Sequence, residues 1–488
     1  MKVKKISCFI LSALSGVIVS VQAQTPMSLY FMETVPQISQ MNPAYQPRAN
    51  GYLSLPSIGF DFRSDFAVKD MLQQQGDRWY TPIEKQFDYA LLRKSIGKKA
   101  AMLNSNVDVD IIGFGFRTGN GYLSFGISEH VVVNTALPSD LFKITESGFP
   151  DETSLDFSPL RIQAVAYKQF RIGYSTKIND KLSIGVNVKP LFGQVAIATD
   201  IRKFTLHTGE YQWDVYAQGD IYSSAPYEVT TDSEGKIDDT ELREDLETNE
   251  DWIRQYGTGF NNPGIAVDLG ATYRINERFV VSAALNNLGF ISWKDDLNGV
   301  AFNGNYTFNG VEYDVTDDRD DLFDDLLDSL ENAINYHVQH DKFNTKLAPV
   351  FYAGANYQLT KAVSAGLLSR TTFWRKGVRQ NFNLSLYLQP YSFVALNVGA
   401  NYQVKGNVYL GGGFTFFFGP LQFYFLTDYV PVRYSTIRID DGNEIGDEIP
   451  YIPERQKTVT FRTGLNLIFG RHGYVNKPML DRGTSSWN

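Results

Sequence analysis

In residues 380–430, apolar and polar positions alternate through four segments joined by very short connections. In the first segment Phe382, Leu384, Leu386 and Leu388 share one face, while Asn381, Asn383, Ser385, Tyr387 and Gln389 share the other. The second sets Val394, Leu396, Val398 and Ala400 against Asn397, Gly399 and Asn401. Successive side chains of a strand point to opposite faces, so the pattern predicts a sheet with one apolar and one polar side. Tight connections between consecutive strands make it an antiparallel meander. Each segment runs about ten to twelve residues, which suits a tilted strand crossing a bilayer better than the usual strand of about five or six.

The same alternation recurs at 51–62, 107–117, 121–133, 161–176, 181–198, 263–273, 279–293, 348–357, 363–374 and 458–469, giving fourteen strands with the meander. In the last of these Val459, Phe461, Leu465, Leu467 and Phe469 point out, and Thr460, Arg462, Gly464 and Asn466 point in. IGYSTKINDKLSIGV from Ile172, LGATYRINERFVVSA from Leu269, AGANYQLTKAVSAGL from Ala353 and VGANYQVKGNVYLGG from Val398 share one outline: strand, Tyr, short turn, strand. Long irregular insertions between the copies argue for barrel hairpins rather than a solenoid.

Connections alternate in length. Tight turns at 118–120, 178–180, 275–278, 359–361, 390–392 and 419–420 would face the periplasm; excursions at 63–106, 134–160, 199–261, 294–346 and 433–457 would face outside. Short turns at 376–379 and 405–407 fall on the outer side by parity. The expected fold is all-β: a closed antiparallel transmembrane barrel of about fourteen strands with one or two short loop helices. Ile83, Phe87, Leu91 and Ile96 predict one helix, and Leu322, Phe323, Leu326, Leu327, Leu330 and Ile334 a second over 320–334, its apolar stripe packing on the barrel mouth or docking a partner. Trp293, Phe373, Trp374 and Tyr429 at the outer ends, with Tyr391, Phe393, Phe417, Phe418 and Phe469 at the inner ends, predict two aromatic girdles.

Compartment follows from the first residues. Lys2, Lys4 and Lys5 precede an apolar run and then Val21-Gln22-Ala23, the outline of a cleaved secretory signal. Expected boundaries are 1–23 for the signal, 24–50 for a periplasmic or lumenal lead-in, 51–470 for the barrel and 471–488 for a periplasmic tail. Cys8 is the only cysteine, so no disulfide framework is expected after cleavage. Removing three lysines from 45 basic residues leaves 42 against 54 acids, a net charge of −12, which disfavours a nucleic-acid partner. No later apolar run is long enough for a membrane helix.

Two short stretches, Met41-Asn42-Pro43-Ala44 and Leu285-Asn286-Asn287-Leu288-Gly289, resemble the FadL-like outer-membrane barrels, a family that includes long-chain fatty-acid transporters and PorV-type barrels of secretion systems. The resemblance implies fourteen strands and a lumenal position for Asn42, Pro43 and Ala44. About 27 residues precede the first strand, short for the plug of a fatty-acid transporter, which brings the PorV-type branch closer.

Catalytic chemistry finds little support. His130, His207, His337, His340 and His472 are the only histidines. His337, His340 and Asp341 have a spacing that would put ligands on one helix face, although solvated surface histidines are the default. Thr230, Asp232, Glu234, Gly235, Ile237 and Glu241 echo a calcium loop, but position one is Thr rather than Asp, so an acidic surface loop is expected. No metal, cofactor or enzymatic motif is assigned. Lys189, Arg462, Asn383 and Asn401 point inward, either lining an open lumen or filling a closed one.

The expected setting is the outer membrane of a Gram-negative bacterium after Sec-type export, with outer-membrane lipid as the surrounding partner. The first functional reading is a non-enzymatic scaffold that docks protein partners of a surface or secretion assembly at its loops or turns. The alternative is a FadL-like transporter for small hydrophobic molecules. The short lead-in and the acidic loops favour the first.

Overall fold

The computed structural model describes residues 26–471, interrupted at 68–69, 76–77, 81–86, 97–98, 148–151, 211, 234, 236, 244–250, 252–258, 309–335, 375–376, 405–407, 431–433, 439–447 and 454–456. Fourteen strands form the wall: β1 (Ala49–Ser64), β2 (Ala100–Thr118), β3 (Gly121–Pro138), β4 (Arg161–Lys177), β5 (Leu182–Thr208), β6 (Pro263–Arg274), β7 (Phe279–Trp293), β8 (Val350–Thr360), β9 (Val363–Trp374), β10 (Gly377–Tyr391), β11 (Val394–Gln403), β12 (Val408–Phe418), β13 (Leu421–Val430) and β14 (Thr458–Arg471). Each pairs antiparallel with its neighbour, and β14 returns to β1, with Gly51 opposite Phe469 and Arg63 opposite Thr458. Closure leaves no unpaired edge within the wall, which is the condition for crossing a bilayer with strands.

The two faces separate as the alternation requires. On β10 Phe382, Leu384 and Leu386 are exposed, Leu384 at 59%, while Asn381, Asn383, Ser385, Tyr387 and Gln389 are buried. Exposed Ile112, Phe114, Phe116, Ile172, Ile265, Leu269, Leu367 and Val398 continue the outward band round the barrel. That much contiguous apolar surface is stable only against lipid. Pro56 sits inside β1, a strand paired on both sides, at the point where the register with β14 shifts between Ser54 and Ser57. A bulge there tolerates the missing N–H.

The tight turns, the start of β1 and the end of β14 share one end, so β1 and β13 run outward and β14 runs inward. Gly119 and Gly419 take positive φ (57° and 59°) in two of those turns with open space around the Cβ position, conformations that cost glycine nothing.

The expected excursions are partly sheet. Beyond the wall β5 continues to Thr208, pairing there with Thr153–Asp156 and Trp213–Ser224; the latter pairs with Gly299–Phe308, which pairs with Tyr336–Gln339. These strands meet neither lipid nor lumen, so their sequence had no reason to alternate cleanly.

Four further expectations change. The helix spans Tyr89–Ile96 and buries Leu92 together with Phe87, leaving Leu91 54% exposed; a second, Ser139–Ser147, was not foreseen. The stretch that echoes a calcium loop pairs as a hairpin, Tyr227–Thr231 against Ile237–Leu242, with Glu241 opposite Glu228, and Glu234 lies outside the described residues. His337 lies in a strand and His340 beyond its end, so no helix face unites them; among the described residues no group of three or more metal-ligating side chains occurs. Phe373, Tyr391, Phe393, Phe418 and Phe469 are exposed as girdle residues should be, but Trp293, Tyr429 and Phe417 are buried. The expected helix at 320–334 and the expected signal segment lie outside the described residues.

Candidate functional site in the barrel lumen

The lumen is filled by residues 26–48. Prolines at 26, 36, 43 and 47 forbid a long helix, and the segment instead folds as a string of tight turns. Leu29 N donates to Pro26 O (3.1 Å), Met32 N to Leu29 O (2.9 Å), Val35 N to Met32 O (2.9 Å) and Ile38 N to Val35 O (3.1 Å). Its backbone is thereby largely satisfied from within, as a chain inside a barrel must be.

Its side chains meet two unlike walls. Met27, Leu29, Phe31, Met32, Val35 and Ile38 are almost wholly buried and form one apolar cluster with Tyr352, Leu368, Tyr387, Ala395, Phe417, Tyr424 and Leu426. Those partners come from β8 to β13, where they are interleaved with buried polar groups such as Asn383, Asn397, Asn401, Gln422 and Asp428. The other side, from β14 and β1 to β6, is charged. Arg462 donates to Asp108 and Asp110 at 2.6 Å each and to the plug's Gln40 at 3.2 Å. Lys189 pairs with Asp268 at 2.6 Å. Gln37 donates to Ser54 and Asn466, both at 2.8 Å. Between plug and wall, a cavity of about 10 Å³ beside Gln37, Gln40, Asp110 and Arg171 has room for one water.

Asn42, Pro43 and Ala44 sit at the inner half of the plug. The Asn42 Nδ2 donates to Tyr30 Oη (3.1 Å) and lies 3.4 to 3.5 Å from the carbonyls of Ala283 and Ala271, and its Oδ1 accepts Ala44 N at 3.0 Å. The other motif stretch meets it: Asn286 donates to the carbonyls of Gln40 (3.0 Å) and Met41 (2.9 Å). Burial raises the Tyr30 phenol to about 12 and lifts that of Tyr45 well above its ordinary value, so both stay neutral hydrogen-bonding groups. Both open possibilities for the inward side chains resolve the same way. Lys189, Arg462, Asn383 and Asn401 are buried and help to fill a closed lumen.

Sequence reasoning missed the plug contacts of Gln37, Gln40, Asp110 and Asp428, and the place of Asp108 beside them on Arg462. Asp108 and Asp110 alternate with Val107 and Val109, so their inward parity was readable. The plug glutamines carry no comparable signal.

A family model described as a family of unknown function (DUF5723) matches residues 43–428. No curated protein matches the chain. Among solved structures the chain is similar to the toluene transporter TbuX of Ralstonia pickettii, at 9% identity and TM-score 0.41, with 90% of this chain and 94% of that one covered. The toluene transporter TodX of P. putida shows 8% identity and TM-score 0.40 over 88% and 93%. A Pseudomonas aeruginosa FadL homologue shows 9% identity and TM-score 0.43 over 93% and 100%. Likenesses this distant carry no argument about substrate.

Proposed function

Since the chain belongs to the family of unknown function DUF5723, whose description assigns no activity, we propose a function from the lumen itself: a non-enzymatic passage for small, mainly hydrophobic molecules across the outer membrane of a Gram-negative bacterium, with residues 26–48 as the gate. The observation that carries this reading is the apolar cluster along which the plug meets β8 to β13. A shift of the plug bares a track of Tyr352, Leu368, Tyr387, Phe417 and Leu426 facing a charged wall. Such a track desolvates an apolar body while leaving water and polar groups for the rest of the molecule. A water-filled porin would have no use for an apolar track along its lumen.

Cells lacking the protein should accumulate a labelled medium-chain aliphatic compound more slowly than cells carrying it, with uptake of a sugar of similar size unchanged. Equal uptake of the aliphatic compound in both would end the reading.

Docking of a protein partner stands second. The sheet that rises past the wall, built on β5 and Trp213–Ser224, gives it a rigid outer platform. The PorV-type resemblance rests on the two sequence motifs alone. A stoichiometric partner retained through mild-detergent purification, together with unaltered aliphatic uptake in the deletion, would move this reading to first place.

A further inference from the structure

Outward of the plug tip, β1 carries Arg63 into the lumen in phase with the buried Asp61 and Ser57. The side chain is only 4% exposed, and Nε and both terminal nitrogens lack a hydrogen-bond partner. The nearest carboxylate, Asp61, lies 3.9 Å away. Both of its oxygens are engaged elsewhere, by Asn106 at 3.5 Å and Thr460 at 2.7 Å. Asn104, beside Arg63 in the register of β1 and β2, has an unpartnered Nδ2 as well.

Asp428, a buried acid of β13, likewise has its two oxygens on the backbone N–H groups of Met27 and Ser28. Arg63 therefore lies buried beside a carboxylate whose two oxygens already accept other hydrogen bonds. A buried guanidinium without hydrogen bonds is strongly unfavourable.

We infer that Arg63, with Asn104 beside it, binds an oxyanion of a small polar solute, a carboxylate or a phosphate, at the outer end of the lumen. A planar oxyanion accepts two parallel N–H bonds from one guanidinium. Dependence on the passage reading is slight, because the site stands whether or not the plug opens.

The test uses the purified full-length protein in detergent micelles, with inorganic phosphate and acetate as probes and chloride at matched ionic strength as reference. Titration calorimetry and the temperature of heat-modifiable gel migration are read together. At least one probe should bind saturably and raise the transition temperature. Arg63→Met should weaken that binding at least tenfold, whereas Arg202→Met, an exposed arginine on the outer extension, should leave it intact. If Arg63→Met does not fold, Asn104→Leu serves as the second variant and should weaken binding severalfold. Binding of phosphate alone, or of acetate alone, names the source of the oxyanion. No saturable binding by wild type, or binding unchanged in the variants, overturns the site. Aliphatic uptake by cells is a separate readout, so loss of one reading leaves the other standing.

Discussion

Asp428 on β13 takes the backbone N–H of Met27 at 2.5 Å, tying the outermost turn of the plug to the wall 401 positions away in sequence. The same carboxylate accepts Ser28 N at 3.1 Å. A hydrogen bond to a charged group contributes about 1.5–3 kcal/mol, and every 1.4 kcal/mol is about a tenfold change in population. Asp428→Ala should therefore raise the population with a displaced plug tip by about 10- to 100-fold. Planar-bilayer recordings check this: openings should become more frequent, and an unchanged record would mean that the tip is held by its apolar contacts alone.

Glycines make the seat for the rest of the plug. A Cβ at Gly185 would lie 2.2 Å from Pro43 O, and one at Gly366 would lie 2.2 Å from the Phe31 ring. The first is a clash with backbone, which has little room to yield. Gly185→Val should push residues 42–44 off the wall and speed tryptic cleavage after Arg48. Gly377, with nothing within 4 Å of its Cβ position, is the matched control; Gly377→Val should be cut at the wild-type rate.

The wall was legible because lipid imposes a strict rule: one apolar residue in two. Residues 381–389 and 394–401 obey it, and the structure places Asn383 and Asn401 inside, 2.9 Å apart. The outer sheet was less legible, since β5 beyond Ala198 pairs with strands in water on terms that no lipid enforces. Girdle positions failed where parity outweighed depth: Trp293 is aromatic and near the outer end, yet it points inward and donates Nε1 to Thr345 at 2.9 Å. The lumenal position of residues 42–44 came from the family resemblance, and the contacts of the plug carried no signal in the sequence. Met27, Leu29, Met32 and Val35 follow no single period because each tight turn resets the direction of the chain, and their partners lie hundreds of residues away.

Lipid contact on β10 gives a further check. Leu384 is well exposed near the middle of the strand, flanked by buried Asn383 and Ser385. An arginine on the lipid face near the bilayer midplane costs about 2–4 kcal/mol. Leu384→Arg should lower the urea midpoint of folding into lipid vesicles accordingly, read by heat-modifiable migration. A change below about 0.5 kcal/mol, the range of ordinary surface substitutions, would show that this face does not meet hydrocarbon.

Arg462 is the strongest single test of the charged wall. Its guanidinium, 1% exposed, bridges Asp108 and Asp110 at 2.6 Å each and reaches Gln40 of the plug. Removing one partner of a buried ion pair leaves uncompensated charge and costs about 3–5 kcal/mol, far more than the pair itself contributes. Two carboxylates are stranded here, so Arg462→Met should fall at the upper end of that range and loosen the plug with it. Adding Asp108→Asn and Asp110→Asn removes the stranded charge, and the triple variant should recover most of the loss. Urea midpoints in vesicles, with protease access to Arg48 as the readout for the plug, separate the two effects. If the triple variant is no more stable than Arg462→Met alone, then volume and hydrogen bonding, not charge, hold this side of the lumen together.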